Sequence, residues 1–312
     1  MDFEEIQQAQ YLNSPFININ RVHFYLIGCG GTGSKLMPEL CQAIALFNEN
    51  ILGLLQASLD ICDPDRVEIG NLNRQHFVAA DLGKNKAKVL AQRYSAAYGL
   101  NIGYRETLIN EPEDLGQFMS VTPGFLIPQR QALFIIITAV DNHPTRRIVH
   151  QFLTETIRRA GREYYCNQPI FWIDLGNEEI NGYVNIGFIH NNVHVQPNIF
   201  LPMATEIFPE ILEKNAGIKP SELGCGAGGL QDLNINAASA THCMSVIRML
   251  LKKISVPEEQ QFGGNEHNFN DVLNYYQIEF GVKPPTAIVK YNVPRNLEHI
   301  TPAHPERYFL ER

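Results

Sequence analysis

No two cysteines in this chain stand at CxxC spacing. The six thiols, Cys29, Cys41, Cys62, Cys166, Cys225 and Cys243, are scattered, which argues against a zinc ribbon built from paired thiolates. The default for each is a small buried apolar side chain. A basic surplus is also missing. The formal net charge is −8, which argues against a general nucleic-acid binder. It leaves room for a small anionic ligand, because a site needs only local positive charge. No stretch is long and apolar enough to cross a membrane. The start, MDFEEIQQAQ, has neither the basic flank nor the apolar run of a signal peptide. A cytoplasmic protein, with its cysteines reduced, is therefore expected. Internal repeats and low-complexity segments are absent.

What is present is a strand–helix alternation. The 312 residues suit one large α/β domain, with or without a small appendage. VHFYLIGC (22–29) is a continuous apolar run ending in glycine and reads as a buried parallel strand. Leu36, Leu40, Ile44 and Phe47 then recur at helical spacing. Pro38 fits that helix only near its first turn. ASLDICD (57–63) reads as a second strand, ADLGKNKAKVLAQRYSAAYG (80–99) as a helix stopped by Gly99, and NIGYRETL (101–108) as a third strand. The prolines and glycine of 110–131 predict a loop with a single helical turn. ALFIIITAVD (132–141) is the clearest buried strand, followed by a helix to about Arg159. PIFWIDLGN (169–177) is another strand, with YVNIGFI (183–189) able to pair beside it. Residues 191–231 read as irregular, 232–253 as a helix capped by Asp232, 256–276 as polar and mobile, and TAIVKYNV as a late strand. This order predicts a doubly wound, mostly parallel α/β sheet, whose ligands sit at the carboxyl ends of the strands. Those ends carry Gly28–Gly33, Asp63–Asp65, Asp141 and Asp174–Gly176.

GCGGTG, with Gly28, Gly30, Gly31 and Gly33, fits GxGxxG between a strand and a helix. Such glycines permit a tight turn and let phosphate approach the amides at a helix start. The pattern is shared by NAD and FAD enzymes, by ATP users, and by tight turns with no ligand at all. Asp63 stands where an acidic residue would take a ribose hydroxyl, at longer than the usual spacing. DPDRVEIGNLNRQ (63–75) follows, with Lys84, Lys86 and Lys88 beyond it. Cationic and amide donors after the ribose position suit a triphosphate better than a nicotinamide ring. Lys84 and Lys88 read as a solvated helix face. An NAD-dependent oxidoreductase would explain the glycines and Asp63 but leave Asn71, Arg74, Lys86 and Asp141 without a task. A catalytically silent scaffold is the other rival, and the intact polar set argues against it.

Four stretches in order over 28–146 resemble the ThiF/MoeB/HesA family, which shares its adenylation domain with ubiquitin-activating enzymes. They are GCGGTG, the DxDxVxxxNLxRQ pattern at 63–75, Gly83-Lys84-Asn85-Lys86-Ala87, and AVDNHPTR at 139–146. IFWIDLGN, EIFPEI and QDLNINAASATH look most like the ThiF-type proteins of PRTRC gene clusters. The resemblance implies a Rossmann-like adenylation domain over 21–255 with a crossover loop at about 200–231. An N-terminal extension over 1–20 would precede it, and a C-terminal segment, 256–312, would pack on the same domain.

The activity it implies is Mg-ATP-dependent adenylation of the C-terminal glycine of a ubiquitin-like or sulfur-carrier protein. A conjugating enzyme would be a further partner, and a homodimer the working form. Carried over by motif, the four glycines, Asp63, Asp65, Asn71, Arg74, Gln75 and Lys86 would hold ATP. Asp63 would take the ribose, and Asn71, Arg74 and Lys86 the phosphates. Asp141 would hold Mg²⁺, and Gln75 and Arg146 would shape the site. Arg74, Lys86 and Asp141 are thus the catalytic candidates, since attack on an already anionic phosphorus needs cations around it. A helix cap is the plainer role for Asp141. Cys225, in SELGCGAGGLQD, is the cysteine in a glycine-rich loop setting and is the thioester candidate. Cys243 and Cys29 read as packing, and His242 beside Cys243 as no dyad, since adjacent helix positions point apart. Two departures stand out: residues 1–20 hold no arginine to lend to a neighbouring subunit, and the family's paired CxxC motif is absent.

Overall fold

The computed structural model describes residues 19–49, 55–120, 131–159, 170–178, 180–189, 201–213, 233–255, 275–291 and 300. Its strands are β1 (Ile19–Ile27), β2 (Gln56–Cys62), β3 (Ile102–Arg105), β4 (Gln131–Thr138), β5 (Ile170–Asn177), β6 (Asn181–Ile189), β7 (Tyr275–Val282) and β8 (Pro285–Tyr291). They form one sheet in the order β3-β2-β1-β4-β5-β6-β7-β8. Pairing is parallel from β3 to β5 and antiparallel from β5 to β8. The order reverses at β1 and β4, where the chain leaves β1 toward β2 and later returns to β4 on the other side. A crevice opens at such a reversal, beyond the carboxyl ends of the strands.

Helices cover both faces, as the doubly wound expectation requires. They are α1 (Gly31–Asn48), α2 (Lys86–Tyr98), α3 (Pro112–Ser120), α4 (His143–Arg159), the short α5 (Ala204–Ile207) and α6 (Leu233–Ser255). Along β1 the side chains alternate between two cores. Phe24 and Leu26 join Leu36, Leu40 and Ile44 of α1, Leu90 of α2 and Val246 and Leu250 of α6. Tyr25 and Ile27 join Leu115 and Phe118 of α3 and Val149 and Leu153 of α4. Each such large apolar side chain, once fully buried, contributes about 1.5–3 kcal/mol, which holds the strand ends in fixed positions.

Several local expectations need correction. The loop anticipated over 110–131 contains a nine-residue helix, α3. It forms because Leu115, Phe118 and Met119 bury one face, and the Met119 carbonyl accepts a 2.9 Å hydrogen bond from the Tyr25 hydroxyl. Pro38 lies well inside α1 rather than in its first turn. Packing of Leu36, Met37, Leu40 and Cys41 around it outweighs the lost backbone donor. YYQIEFGV was not anticipated as a strand, yet it is β7, sandwiched between β6 and β8. Its Tyr276, Ile278 and Phe280 point into the α6 core. YVNIGFI does pair beside β5, antiparallel. Asp232, offered as the cap of α6, lies outside the described residues.

Candidate active site

The carboxyl ends of the parallel strands are stitched together by backbone hydrogen bonds. Gly28 N–H donates to Cys62 O at 2.9 Å, Ala139 N–H to Ile27 O at 2.8 Å, and Asp63 N–H to Arg105 O at 3.2 Å. Gly28 adopts φ +97°, and a Cβ there would meet the Ala139 carbonyl oxygen at 2.5 Å. The turn can therefore close against β4 only as glycine. Gly31 is crowded differently: a Cβ would come within 2.8 Å of Asn236 Nδ2 at the start of α6. Gly30 faces open space, with Gln75 Nε2 3.9 Å from its missing Cβ. Gly33 packs on Gly28 and Ala139. One face of the turn is thus pressed into the fold and the other left bare.

Asp63, at the end of β2, is buried. Its two carboxylate oxygens accept from Cys29 N–H at 2.6 Å and Asp65 N–H at 2.8 Å. It clamps the glycine turn of β1 to the strand beside it. Burial raises its pKa, while Lys86 and these two backbone donors pull it down. Lys86 opens α2 and is itself buried, with Nζ 2.8 Å from Asp65 Oδ2. Asn85 caps that helix through Oδ1, accepting from Lys88 N–H at 2.9 Å, and its amide nitrogen donates to the Asp63 and Asp65 carbonyls. Lys84 is exposed, and Lys88 pairs with Glu106 at 3.5 Å, as a solvated face would.

Asn71, Arg74 and Gln75 form one short loop. Asn71 is buried and accepts through Oδ1 from Glu68 N–H at 2.8 Å, while its carbonyl receives Arg74 N–H at 3.2 Å and Gln75 N–H at 2.9 Å. Asn71 therefore shapes the loop that carries the other two. Arg74 Nε and Gln75 Oε1 are both buried polar atoms without a hydrogen-bond partner. A buried donor and acceptor left unpaired cost about 1–3 kcal/mol each, so a ligand that meets them gains what the fold leaves unspent.

Asp141 lies two residues beyond Ala139 and is exposed. It does not cap the next helix. That role falls to Asn142, whose Oδ1 accepts Thr145 N–H at 2.9 Å. Asp141 is left exposed at a strand end. Below it, Arg146 Nε contacts Asp174 Oδ1 at 2.9 Å and Oδ2 at 3.0 Å, and its NH2 group donates to the Val140 and Leu175 carbonyls at 2.9 and 3.1 Å. This buried network ties α4 to the ends of β4 and β5.

The structure adds residues that sequence reasoning missed. Asn177 Nδ2 donates to Thr32 Oγ1 at 2.7 Å and Asn236 Oδ1 at 2.9 Å, and Thr32 Oγ1 donates to Asn236 Oδ1 at 2.8 Å. Strand β5, α1 and α6 thus meet beside the glycine turn. Their signals were present only as position: Asn177 ends an apolar strand and Asn236 begins an apolar helix. Among the cysteines, Cys29, Cys41, Cys62 and Cys243 are buried. Burial pushes the Cys41 and Cys62 thiols up to about 12, and raises Cys29 and Cys243 as well. His242 packs at a tilt against Phe280, ring centroids 4.8 Å apart, instead of activating Cys243. Cys225 and Cys166 lie outside the described residues.

The ThiF family pattern matches residues 9–283. The chain belongs to the ThiF family. Among curated relatives of this ThiF protein, the NEDD8-activating enzyme E1 catalytic subunit of Caenorhabditis elegans is 28% identical over 174 residues, 55% of this chain and 35% of the relative. The subunit of the same name from Arabidopsis thaliana is 40% identical over 73 residues, 23% of this chain and 14% of the relative. Of solved structures, E. coli MccB crystallised with AMPCPP and MccA superposes with a TM-score of 0.51 at 16% identity, covering 93% of this chain and 66% of MccB. The ThiF chain spans little more than a third of the first curated relative's length and under two thirds of MccB's. The likeness to MccB is one of fold: an eight-stranded, mostly parallel sheet between helices.

Proposed function

We propose that this ThiF-family protein is a Mg-ATP-dependent adenylating enzyme acting on the C-terminal carboxylate of a small ubiquitin-like or sulfur-carrier protein. The observation that carries the reading is the pair of unpartnered buried atoms, Arg74 Nε and Gln75 Oε1, on a loop that leaves Gly30 uncovered. Glycine amides, a guanidinium and a buried lysine around one bare turn fit a polyphosphate. Asp63, beside that turn, would face the ribose, and Asp65 would hold Lys86 in place for the phosphates. The NEDD8-activating E1 catalytic subunits and the structure of MccB with AMPCPP and MccA support a nucleoside triphosphate and a protein or peptide partner as the two substrates.

In this reading the carrier's carboxylate oxygen attacks the α-phosphorus. The bond to the bridging oxygen of pyrophosphate breaks, leaving an acyl adenylate. Arg74 and Lys86 offset the charge gathered on the leaving group. Mg²⁺ supplies further charge neutralisation when bound. It needs only one or two protein carboxylates beside the phosphates, and Asp141 offers one. Cys225 would then attack the acyl carbonyl as thiolate and expel AMP, giving a thioester for transfer to a conjugating enzyme. A homodimer in the cytoplasm is the working form we infer.

Exchange of labelled pyrophosphate into ATP, dependent on a glycine-ended carrier, tests the reading. Arg74→Ala and Asp141→Ala should each lower exchange roughly 100-fold. Cys225→Ala should leave exchange intact and abolish any thiol-reducible adduct with the carrier. Binding of NAD in preference to Mg-ATP would refute the proposal and favour an oxidoreductase. Mg-ATP binding without exchange, given the cognate carrier, would leave a silent scaffold.

A further inference from the structure

Lys35 stands on the second turn of α1, four residues after Gly31 and on the same side of the helix. Helical side chains lean toward the N-terminus, which here is the glycine turn. Lys35 is half-buried. Its natural helical partner, Glu39 at i+4, is drawn instead to Arg248 of α6 at 3.5 Å. Among the described residues no carboxylate lies within ion-pairing distance of Lys35. Its neighbour Ser34 accepts the His76 backbone N–H at 3.1 Å, which fixes Lys35 beside the loop that bears Arg74 and Gln75. Partial burial first, and then the Lys35 charge, hold the His76 imidazole below its ordinary pKa. Arg93 adds to that positive field, and its NH1 group donates to the His76 carbonyl at 2.7 Å.

The charge balance of the cradle gives this lysine a task. Lys86 already faces Asp65 at 2.8 Å and the buried Asp63 carboxylate. Its charge is shared with these two carboxylates. Arg74 is the loop's remaining cation, and a triphosphate brings several negative charges. We infer that Lys35 is a nucleotide-binding residue of this protein, reaching back along α1 to the β and γ phosphates and adding a cation to those of Arg74 and Lys86. The inference rests on the ATP reading above, and goes beyond it by naming a residue outside the motifs that suggested ATP.

Binding to the full chain, measured by calorimetry with Mg-ATP, AMP and inorganic tripolyphosphate, tests it without any carrier protein. Lys35→Gln should weaken Mg-ATP and tripolyphosphate roughly 10-fold, the scale of one charge-assisted contact, and leave AMP within about 2-fold. Lys35→Arg should hold Mg-ATP within about 3-fold of the wild type. Equal affinities for Mg-ATP in Lys35→Gln and wild type would overturn the assignment. So would an equal loss for Mg-ATP and AMP, which would mark a structural role. If the wild-type protein itself binds no Mg-ATP, the ATP reading fails, and Lys35 falls with it for that separate reason.

Discussion

Arg146 and Asp174 are joined by two contacts of 2.9 and 3.0 Å from one guanidinium nitrogen, with both side chains buried. Thr138 donates a further hydrogen bond to the same carboxylate, and Trp172 Nε1 supports Thr138 at 2.9 Å. Arg146→Ala strips the counter-charge from a fully enclosed carboxylate. The expected loss of stability is about 3–5 kcal/mol, the range for removing one member of a buried pair. Urea unfolding of the variant checks this. A midpoint equal to the wild type would mean the pair does not tie the ends of β4 and β5 together.

Gly28 and Gly30 should respond oppositely to alanine. At Gly28 the positive φ and the Ala139 carbonyl leave no room, so Gly28→Ala should fold poorly, seen as a lowered thermal midpoint. At Gly30 the nearest atom is 3.9 Å from the missing Cβ. Gly30→Ala should therefore keep the wild-type melting profile while the added methyl hinders Mg-ATP binding. Folding and ligand approach are separated by two residues of one turn.

The four described thiols should be silent in the native protein. Cys29, Cys41, Cys62 and Cys243 are buried and their thiolates disfavoured. Iodoacetamide at neutral pH, followed by peptide mass spectrometry, should label none of them until denaturant is added. Rapid native labelling of Cys243 or Cys29 would make that thiol, in place of Cys225, the nucleophile to test.

His23 should make the fold acid-sensitive. It lies buried on β1, its Nδ1 2.8 Å from Ser58 Oγ and its ring stacked on Phe134 at 5.2 Å. Burial first, then Arg21, lower its pKa from 6.5 to about 4. The unfolded chain takes up a proton near 6.5 that the native state refuses. Stability is therefore lost as pH falls from about 6.5 to about 4, up to about 3 kcal/mol. Asp60, raised by burial from 3.8 to about 6, acts in the opposite sense, because its native form prefers the proton over that interval. Subtracting the stability curve of His23→Gln from that of the wild type isolates the histidine. A flat difference between pH 7 and pH 4 would show that His23 is not kept neutral by the fold.

The parallel half of the sheet was legible because β1 and β4 carry long apolar runs that lead to Gly28 and Asp141, β5 carries one up to Asp174, and β2 runs up to Asp63. The antiparallel half was only partly so. β7 alternates apolar and polar residues after a polar stretch, and although β8 follows it across a tight turn, its other partner, β6, lies far away in sequence, Asn185 pairing with Gln277. Likewise α3 was hidden by prolines and glycine at its edges. Propensity is local, and here burial against Tyr25 decided the outcome.

Within the site, the residue types could be read from the chain: bare glycines, a strand-end Asp63, the Arg74–Gln75 loop, Lys86 and Asp141. Their spacing alone specifies a tight glycine turn between strand and helix, with cationic and amide donors following it in the chain. Only the tertiary structure decided how charge is shared among them. It turned Lys86 toward Asp65, used Asp63 to clamp the turn, gave the helix cap to Asn142, left Lys35 without a carboxylate among the described residues, and brought Asn236 over Gly31 from more than 200 residues away. The reason is physical: a sequence motif fixes which groups are available, but ion pairs and hydrogen bonds form only between groups that packing of the two cores places within about 3 Å of each other.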